Sequence, residues 1–125
     1  MKKLLILLLI LPVALASCKQ DNGSSEKDNP FFAEYDTPFG VPPFDKIMVE
    51  HFMPAFEKGM EEHKKEVEAI LENTDEPTFQ NTIVAMDNSG KLLNRVAYTF
   101  FGLSSANTSP ELQTVQMEIS PKLAK

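Results

Sequence analysis

The residues that decide the fold run from Pro42 to Gly90 and read PPFDKIMVEHFMPAFEKGMEEHKKEVEAILENTDEPTFQNTIVAMDNSG. Within this stretch, apolar residues recur at helical spacing from Phe56 to Leu71, with lysine and glutamate between them. That is the pattern of an amphipathic helix. Pro54 suits the first helical turn, where a missing N–H costs nothing. We therefore predict an all-α fold whose main helix ends near Asn73.

Three pairs of opposite charge lie four residues apart along this helix. Such pairs stabilise a helix by about 0.2–0.5 kcal/mol each and mark a face in contact with water. The pairs are Lys58–Glu62, Glu61–Lys65 and Lys64–Glu68. Glu57, Glu61 and Glu62 could supply paired carboxylates for acid–base catalysis, but a solvated face lacks the burial that tunes a carboxyl pKa. We therefore expect no catalytic residue on this face.

Local signals predict the helices that follow. Pro77 closes a turn, and Thr78 is a suitable N-cap for a second helix. Its apolar stripe runs to about residue 103 and is interrupted by Gly90, which predicts either a kink or the close packing of another helix. The stripe comprises Phe79, Ile83, Met86, Leu93, Ala97 and Phe100, widened by Val96, Phe101 and Leu103.

A third helix is predicted after a polar loop over residues 104–108. Ser109 and Pro110 provide an N-cap and an N1 proline, followed by an acidic first turn. Pro121 either kinks this helix or opens another one. The expected buried face comprises Leu112, Val115 and Ile119.

Residues 1–17 are predicted to be a signal peptide. Two lysines precede an apolar run of 13 residues, Leu4–Ala16, which is shorter than the roughly 17–25 residues that span a bilayer. The tetrapeptide ending in Cys18 resembles a bacterial lipoprotein signal, whose cysteine is lipidated. Cys18 is the only cysteine in the sequence, so no internal disulfide explains it. We expect a protein exported and anchored by lipid to the bacterial cell envelope; the alternative is an ordinary secretory signal followed by a chance cysteine.

Two segments of different composition separate the lipidation site from the helices. Residues 18–28 contain no apolar residue after Cys18 and are predicted to be a flexible linker. Residues 29–43 combine four prolines with four aromatic residues, which excludes a helix and favours an extended arm on the surface of the helical body. A proline-rich ligand segment is the alternative, but the P-x-x-P spacing is missing.

Several function classes lack support in these residues. The formal net charge of −6 argues against nucleic acid, because phosphate binding requires a basic patch. His51 and His63 are 12 residues apart and match neither H-E-x-x-H nor its inverted form, so we predict structural histidines and no metal or cofactor site in this chain. Ser104 and Ser105 have no base placed by sequence, and no catalytic motif is present.

The sequence nevertheless resembles one family, that of peptidyl-dipeptidase and thimet oligopeptidase (neurolysin-like) zinc metallopeptidases. The resemblance covers residues 29–125 and depends on the order and spacing of several segments. They are Pro43-Phe44-Asp45-Lys46-Ile47, Glu50-His51-Phe52-Met53-Pro54-Ala55-Phe56, Pro77-Thr78-Phe79-Gln80-Asn81-Thr82-Ile83, Ser89-Gly90-Lys91-Leu92-Leu93 and Ser105-Ala106-Asn107-Thr108-Ser109-Pro110-Glu111-Leu112-Gln113.

This resemblance implies a large helical enzyme that cleaves short peptides in a deep channel, with peptidyl-dipeptidase members releasing dipeptides from the C-terminus. Family members hold zinc with an H-E-x-x-H helix and a downstream glutamate, none of which maps onto this sequence. We therefore expect residues 29–125 to be an incomplete N-terminal helical region, inactive alone and lacking the C-terminal remainder of the peptidase. The alternative is a complete small helical lipoprotein that acts as a non-enzymatic binding module.

Overall fold

The computed structural model describes residues 28–124, and over that range the chain forms helices and turns without a strand. This confirms the predicted all-α fold. The predicted signal peptide, Cys18 and the linker up to Lys27 lie outside the described residues. The helices are α1 (Phe52–Leu71), α2 (Ala85–Asn88, continuing a π-helical segment Phe79–Val84), α3 (Lys91–Ala106) and α4 (Pro110–Leu123).

Helices α1 and α3 form an antiparallel pair around an aromatic core. Phe100 of α3 meets Phe52 and Phe56 of α1 at ring-centroid distances of 5.0 and 5.4 Å, both edge-on. Phe31 reaches the same cluster from the N-terminal arm, 5.4 Å from Phe52. All four rings are fully buried. Edge-on contacts add to the hydrophobic gain from burying such large side chains, so this cluster is the centre of the fold.

A glycine allows the two main helices to approach closely. A Cβ at Gly59 would lie 2.9 Å from the Cα of Leu93, where a real Cβ would force the helices apart. Helix α4 packs on α1 through its buried side chains and through an ion pair of 2.7 Å between Lys122 and Glu57. The buried residues of α4 are the three predicted ones, Leu112, Val115 and Ile119.

The helix boundaries follow the local signals with two exceptions. Thr78 caps its segment, its hydroxyl accepting from the backbone N–H of Asn81 at 3.1 Å, and Ser109 caps α4 in the same way. The predicted loop over residues 104–108 is wrong in part, because α3 continues to Ala106. Pro121 lies inside α4 and opens no new helix among the described residues.

The N-terminal arm lies on the helical body, as predicted, but it is not wholly extended. Short 3-10 turns occupy Pro30–Phe32 and Pro38–Gly40. Phe39 of the arm is fully exposed and has a left-handed φ of 62°. Lys58 lies over the Phe32 ring at 4.2 Å. The arm thus withdraws Lys58 from the predicted pair with Glu62.

None of the helices within residues 28–124 has the length and hydropathy needed to cross a membrane.

Candidate functional site

His51 is buried where the arm meets the start of α1. Its Nδ1 accepts a hydrogen bond from the backbone N–H of Met48 at 3.0 Å, and its carbonyl accepts one from the Asn29 side chain at 2.8 Å. Asn29 is itself buried and also caps the first turn of the arm. His51 therefore joins the arm to α1, the packing role that sequence reasoning expected.

His63 lies just beyond the middle of α1, against the turn that precedes α3. Its Nδ1 is buried and has no hydrogen-bond partner among the described residues. A Cβ added to Gly90 would overlap that Nδ1 and lie 3.0 Å from Cε1. Gly90 also has a φ of +71°, which an L side chain rarely adopts. Both features that were predicted as alternatives for Gly90 are therefore present: the chain bends at Gly90, and α1 packs closely against it.

Glu66 completes this contact, which we call the Gly90 junction (His63, Glu66 and Gly90). A Glu66 carboxylate oxygen accepts a hydrogen bond of 2.6 Å from the backbone N–H of Gly90. That N–H belongs to the N-cap residue of α3, so a side chain of α1 holds the start of α3. Sequence reasoning missed this bond, because the charge pattern of Glu66 is that of an ordinary solvated glutamate.

Replacing Gly90 by alanine should lower the free energy of unfolding by about 2 kcal/mol. The left-handed backbone costs an L residue about 1–2 kcal/mol, and the overlap with His63 adds to that. Urea unfolding followed by circular dichroism measures the difference. Gly40→Ala is the matched control, since Gly40 has a φ of +67° and no neighbour within 4 Å. In a His63→Ala variant, the loss of stability caused by Gly90→Ala should fall to that caused by Gly40→Ala. If the loss does not change, the contact between His63 and Gly90 is contradicted.

The two histidines do not form a metal site with the other described residues. Twelve residues of helix span roughly 18 Å, and the Nδ1 atoms of His51 and His63 face a backbone N–H and Gly90 respectively. Within residues 28–124, no group of three or more histidine, cysteine, aspartate or glutamate side chains is arranged to hold a metal ion. The donors present here therefore do not fit the zinc that the resemblance implies.

Two of the three acidic candidates on α1, Glu57 and Glu61, are engaged with lysines at the surface. Glu57 pairs with Lys122, and Glu61 accepts a hydrogen bond from Lys65. That hydrogen bond, together with the positive charge of Lys65, holds the pKa of the exposed Glu61 carboxyl below its ordinary value. A general acid requires the opposite shift at neutral pH. The structure thus gives Glu61 the character of a solvated helix residue.

The predicted hydroxyl candidates are not activated either. The Ser104 hydroxyl lies 3.3 Å from the side-chain oxygen of Gln116, and Ser105 is exposed. Neither histidine is hydrogen bonded to them, since the Nδ1 of His51 accepts from Met48 and that of His63 faces Gly90. These serines therefore lack the adjacent base that activates a nucleophile.

Arg95 fixes the middle of the arm against α3. Its guanidinium donates to the carbonyl of Ala33 at 2.7 Å and lies 5.2 Å from the centre of the Tyr35 ring. Burial raises the pKa of the Tyr35 hydroxyl, which the positive charge of Arg95 opposes. The arm is thereby held beside α3 along the segment that leads to Pro42.

An open apolar groove lies between the end of the arm and the second half of α3. Its volume is about 330 Å³. We call it the Gly102 groove, lined by Pro42, Phe44, Tyr98, Thr99, Gly102, Leu103 and Ala106. The Thr99 hydroxyl is turned to the Arg95 carbonyl at 2.9 Å, so the lining offers little hydrogen-bonding capacity. Sequence reasoning missed the groove, because the arm and α3 are far apart along the chain.

Large apolar side chains are exposed at several other places. Phe79 and Ile83, two members of the predicted apolar stripe, are 72% and 55% exposed. No described element covers this face of the π-helical segment. The other exposed members of the predicted helices are Leu71, Met86, Tyr98, Phe101 and Met117. Exposed apolar side chains mark an interaction surface where they form a contiguous patch.

Comparison with known proteins finds that this chain is similar in sequence to bacterial peptidases. The chain is 41% identical over 97 residues to dipeptidyl carboxypeptidase of Escherichia coli (strain K12), a match that covers 78% of this chain. It is 38% identical over 96 residues to the dipeptidyl carboxypeptidase of Salmonella typhimurium, and 30% identical over 89 residues to oligopeptidase A of Escherichia coli. No family model matches the chain.

The matched region is a small part of each relative. It amounts to 14% of both dipeptidyl carboxypeptidases and 13% of oligopeptidase A. The chain thus spans about one seventh of the length of the curated relatives that it matches, and the greater part of each relative has no counterpart here.

Proposed function

Because the chain belongs to the family of dipeptidyl carboxypeptidase and oligopeptidase A, we propose that it forms the N-terminal helical part of a longer peptidase acting on short peptides. The observation that carries this proposal is the 41% identity over 97 residues. The exposed apolar side chains support it, because a longer polypeptide would bury them. Pieces of one chain that fold together leave such faces when considered separately.

In this proposal, residues 29–125 provide a wall of the enzyme and take no part in bond cleavage. The catalytic zinc that the family resemblance implies would be bound by residues of the longer polypeptide outside this chain. Two properties of the described residues support that division: the histidines face structural contacts, and two of the acidic candidates of α1, Glu57 and Glu61, pair with lysines. No catalytic step is assigned to them.

A chimeric enzyme tests the proposal. Residues 29–125 replace the matching segment of the Escherichia coli dipeptidyl carboxypeptidase, and the purified chimera is assayed for release of a dipeptide from a blocked tripeptide. The proposal expects a folded enzyme with measurable turnover. A chimera that does not fold, or one that folds without turnover, counts against it.

The 125-residue chain alone should show no zinc-dependent hydrolysis of the same tripeptide. The physical reason is that the donors within residues 28–124 are not grouped for zinc, and that neither Ser104 nor Ser105 is hydrogen bonded to a base there. Product release is measured by chromatography with and without added zinc, and the Escherichia coli enzyme serves as the positive control. Turnover by the chain that disappears in a His51→Ala or His63→Ala variant would contradict the assignment.

We propose further that the protein is exported and held at the bacterial cell envelope by lipid on Cys18. The support is the sequence Leu15-Ala16-Ser17-Cys18 after a short apolar run, with no second cysteine in the chain. Mass spectrometry of the mature N-terminus should find an acylated Cys18. A Cys18→Ala variant should leave the membrane fraction, whereas Cys18→Ala protein that stays membrane-bound would contradict the lipid anchor.

A further inference from the structure

Two glycines occupy the interiors of the two main helices, and only one of them has a structural reason within the described residues. Gly59 of α1 lies against the backbone of Leu93, so that no side chain fits between the helices. Gly102 of α3 has nothing within 4 Å of the position where its Cβ would be. Glycine in a helix interior costs about 0.8–1.0 kcal/mol relative to alanine. The backbone of α3 explains why position 59 is a glycine, whereas no described residue lies close enough to explain the glycine at position 102.

Gly102 lies on the floor of the Gly102 groove. Ala106 follows one helical turn later, and Tyr98 precedes it by one turn, so all three lie along one side of α3. Tyr98 is 79% exposed and Phe44 is half exposed. Two small residues, Gly102 and Ala106, thus line the groove beside two large apolar side chains, Tyr98 and Phe44, that are accessible to solvent.

The chemistry of the groove suits another apolar element better than a polar ligand. Small-molecule sites combine apolar walls with a few convergent polar groups. Here only Tyr98 and Thr99 carry a polar side-chain group, and the Thr99 hydroxyl is already hydrogen bonded within α3. Burying Tyr98 and Phe44 against another apolar surface would gain roughly 25 cal/mol for each Å² removed from water.

We propose that the Gly102 groove receives an α-helix from the part of the longer polypeptide that lies outside residues 28–124. This inference rests on the proposed function. The length of the relatives supports this occupant, because about six sevenths of each has no counterpart in the chain. The contact between Gly59 and Leu93 supports a helix in particular, because the same chain already uses a glycine to seat a helix backbone.

The proposal is tested in the chimeric enzyme with a Gly102→Leu substitution. Leucine on the floor should hold the incoming helix away and raise the rate of thermal inactivation roughly tenfold, as overpacking of about 1–3 kcal/mol requires. Lys64→Leu on the solvated face of α1 is the matched control and should stay within about twofold of the unmodified chimera. In the isolated 125-residue chain, Gly102→Leu should leave the urea midpoint unchanged or higher.

Other outcomes overturn the inference and remain separable from failure of the proposed function. An active chimera with unchanged inactivation after Gly102→Leu contradicts the helix alone. A raised KM with unchanged inactivation would mean that the groove binds substrate peptide. Loss of a dimer would mean that a second copy fills it. A midpoint lowered in the isolated chain would place the defect within residues 28–124. A chimera that fails before any substitution removes both proposals.

Discussion

Truncation of Phe100 to alanine is expected to lower the free energy of unfolding by about 3–5 kcal/mol. Phe100 is fully buried and is the one ring of α3 that touches both Phe52 and Phe56 of α1. Its removal would leave a cavity between the two main helices and break the edge-on contacts that join them. Small domains have only about 5–15 kcal/mol of stability in total, so this loss would remove much of it.

Urea unfolding of the 125-residue chain, followed by circular dichroism, measures the effect. Tyr98→Ala is the control on the same helix, since Tyr98 is largely exposed, and it should change stability by about 0.5 kcal/mol or less. Similar losses for the two variants would contradict an aromatic core centred on Phe100.

Leucine at Gly59 and leucine at Gly102 are expected to have opposite effects in the isolated chain. Gly59→Leu should cost about 3 kcal/mol, because its Cβ would lie 2.9 Å from the Cα of Leu93 and 3.0 Å from the Leu93 nitrogen. The obstacle is backbone, so no rotamer change of Leu93 relieves it. Gly102→Leu should instead be neutral or stabilise by up to about 0.8 kcal/mol, since leucine favours helix and the space is open.

The same urea experiment compares both variants with the original chain. Because each variant adds an identical side chain to a helix interior, differences in leucine hydrophobicity cancel between them. Equal destabilisation at the two positions would contradict the close α1–α3 packing at Gly59, and a Gly102 variant that loses several kcal/mol would contradict an open groove.

Local sequence signals predicted the helices well where the cause was itself local. Thr78 and Ser109 cap their helices as expected, and the pairs Glu61–Lys65 and Lys64–Glu68 form. Lys58 departs from the pattern because the arm brings the Phe32 ring over it. That contact joins residues far apart in sequence, and helical spacing alone contains no information about it.

The apolar stripe shows a second limit of sequence reasoning. Its spacing placed Phe79 and Ile83 on one apolar face, and both are exposed in the described structure. Periodicity identifies the face of a helix that avoids water, but not the element that covers it. In the proposed longer peptidase that element lies outside residues 28–124.

The proposed function was predicted from sequence resemblance to a family and not from the chemistry of a site. The order of the segments around Glu50–Phe56 and Pro77–Ile83 predicted the family, and the comparisons confirm it. Residue chemistry predicted structural roles for His51 and His63, and the structure supplies the contacts. The Glu66–Gly90 bond and the Gly102 groove could not be predicted, because both depend on how distant segments pack.

The most direct test of the account is kcat/KM of the chimera that carries residues 29–125 in the Escherichia coli dipeptidyl carboxypeptidase. It is compared with the parent enzyme and with the parent lacking its matching segment. If the chain is the helical wall of a related peptidase, the chimera should hydrolyse the blocked tripeptide within about tenfold of the parent, a difference of about 1.4 kcal/mol. A folded chimera no more active than the deletion would contradict it.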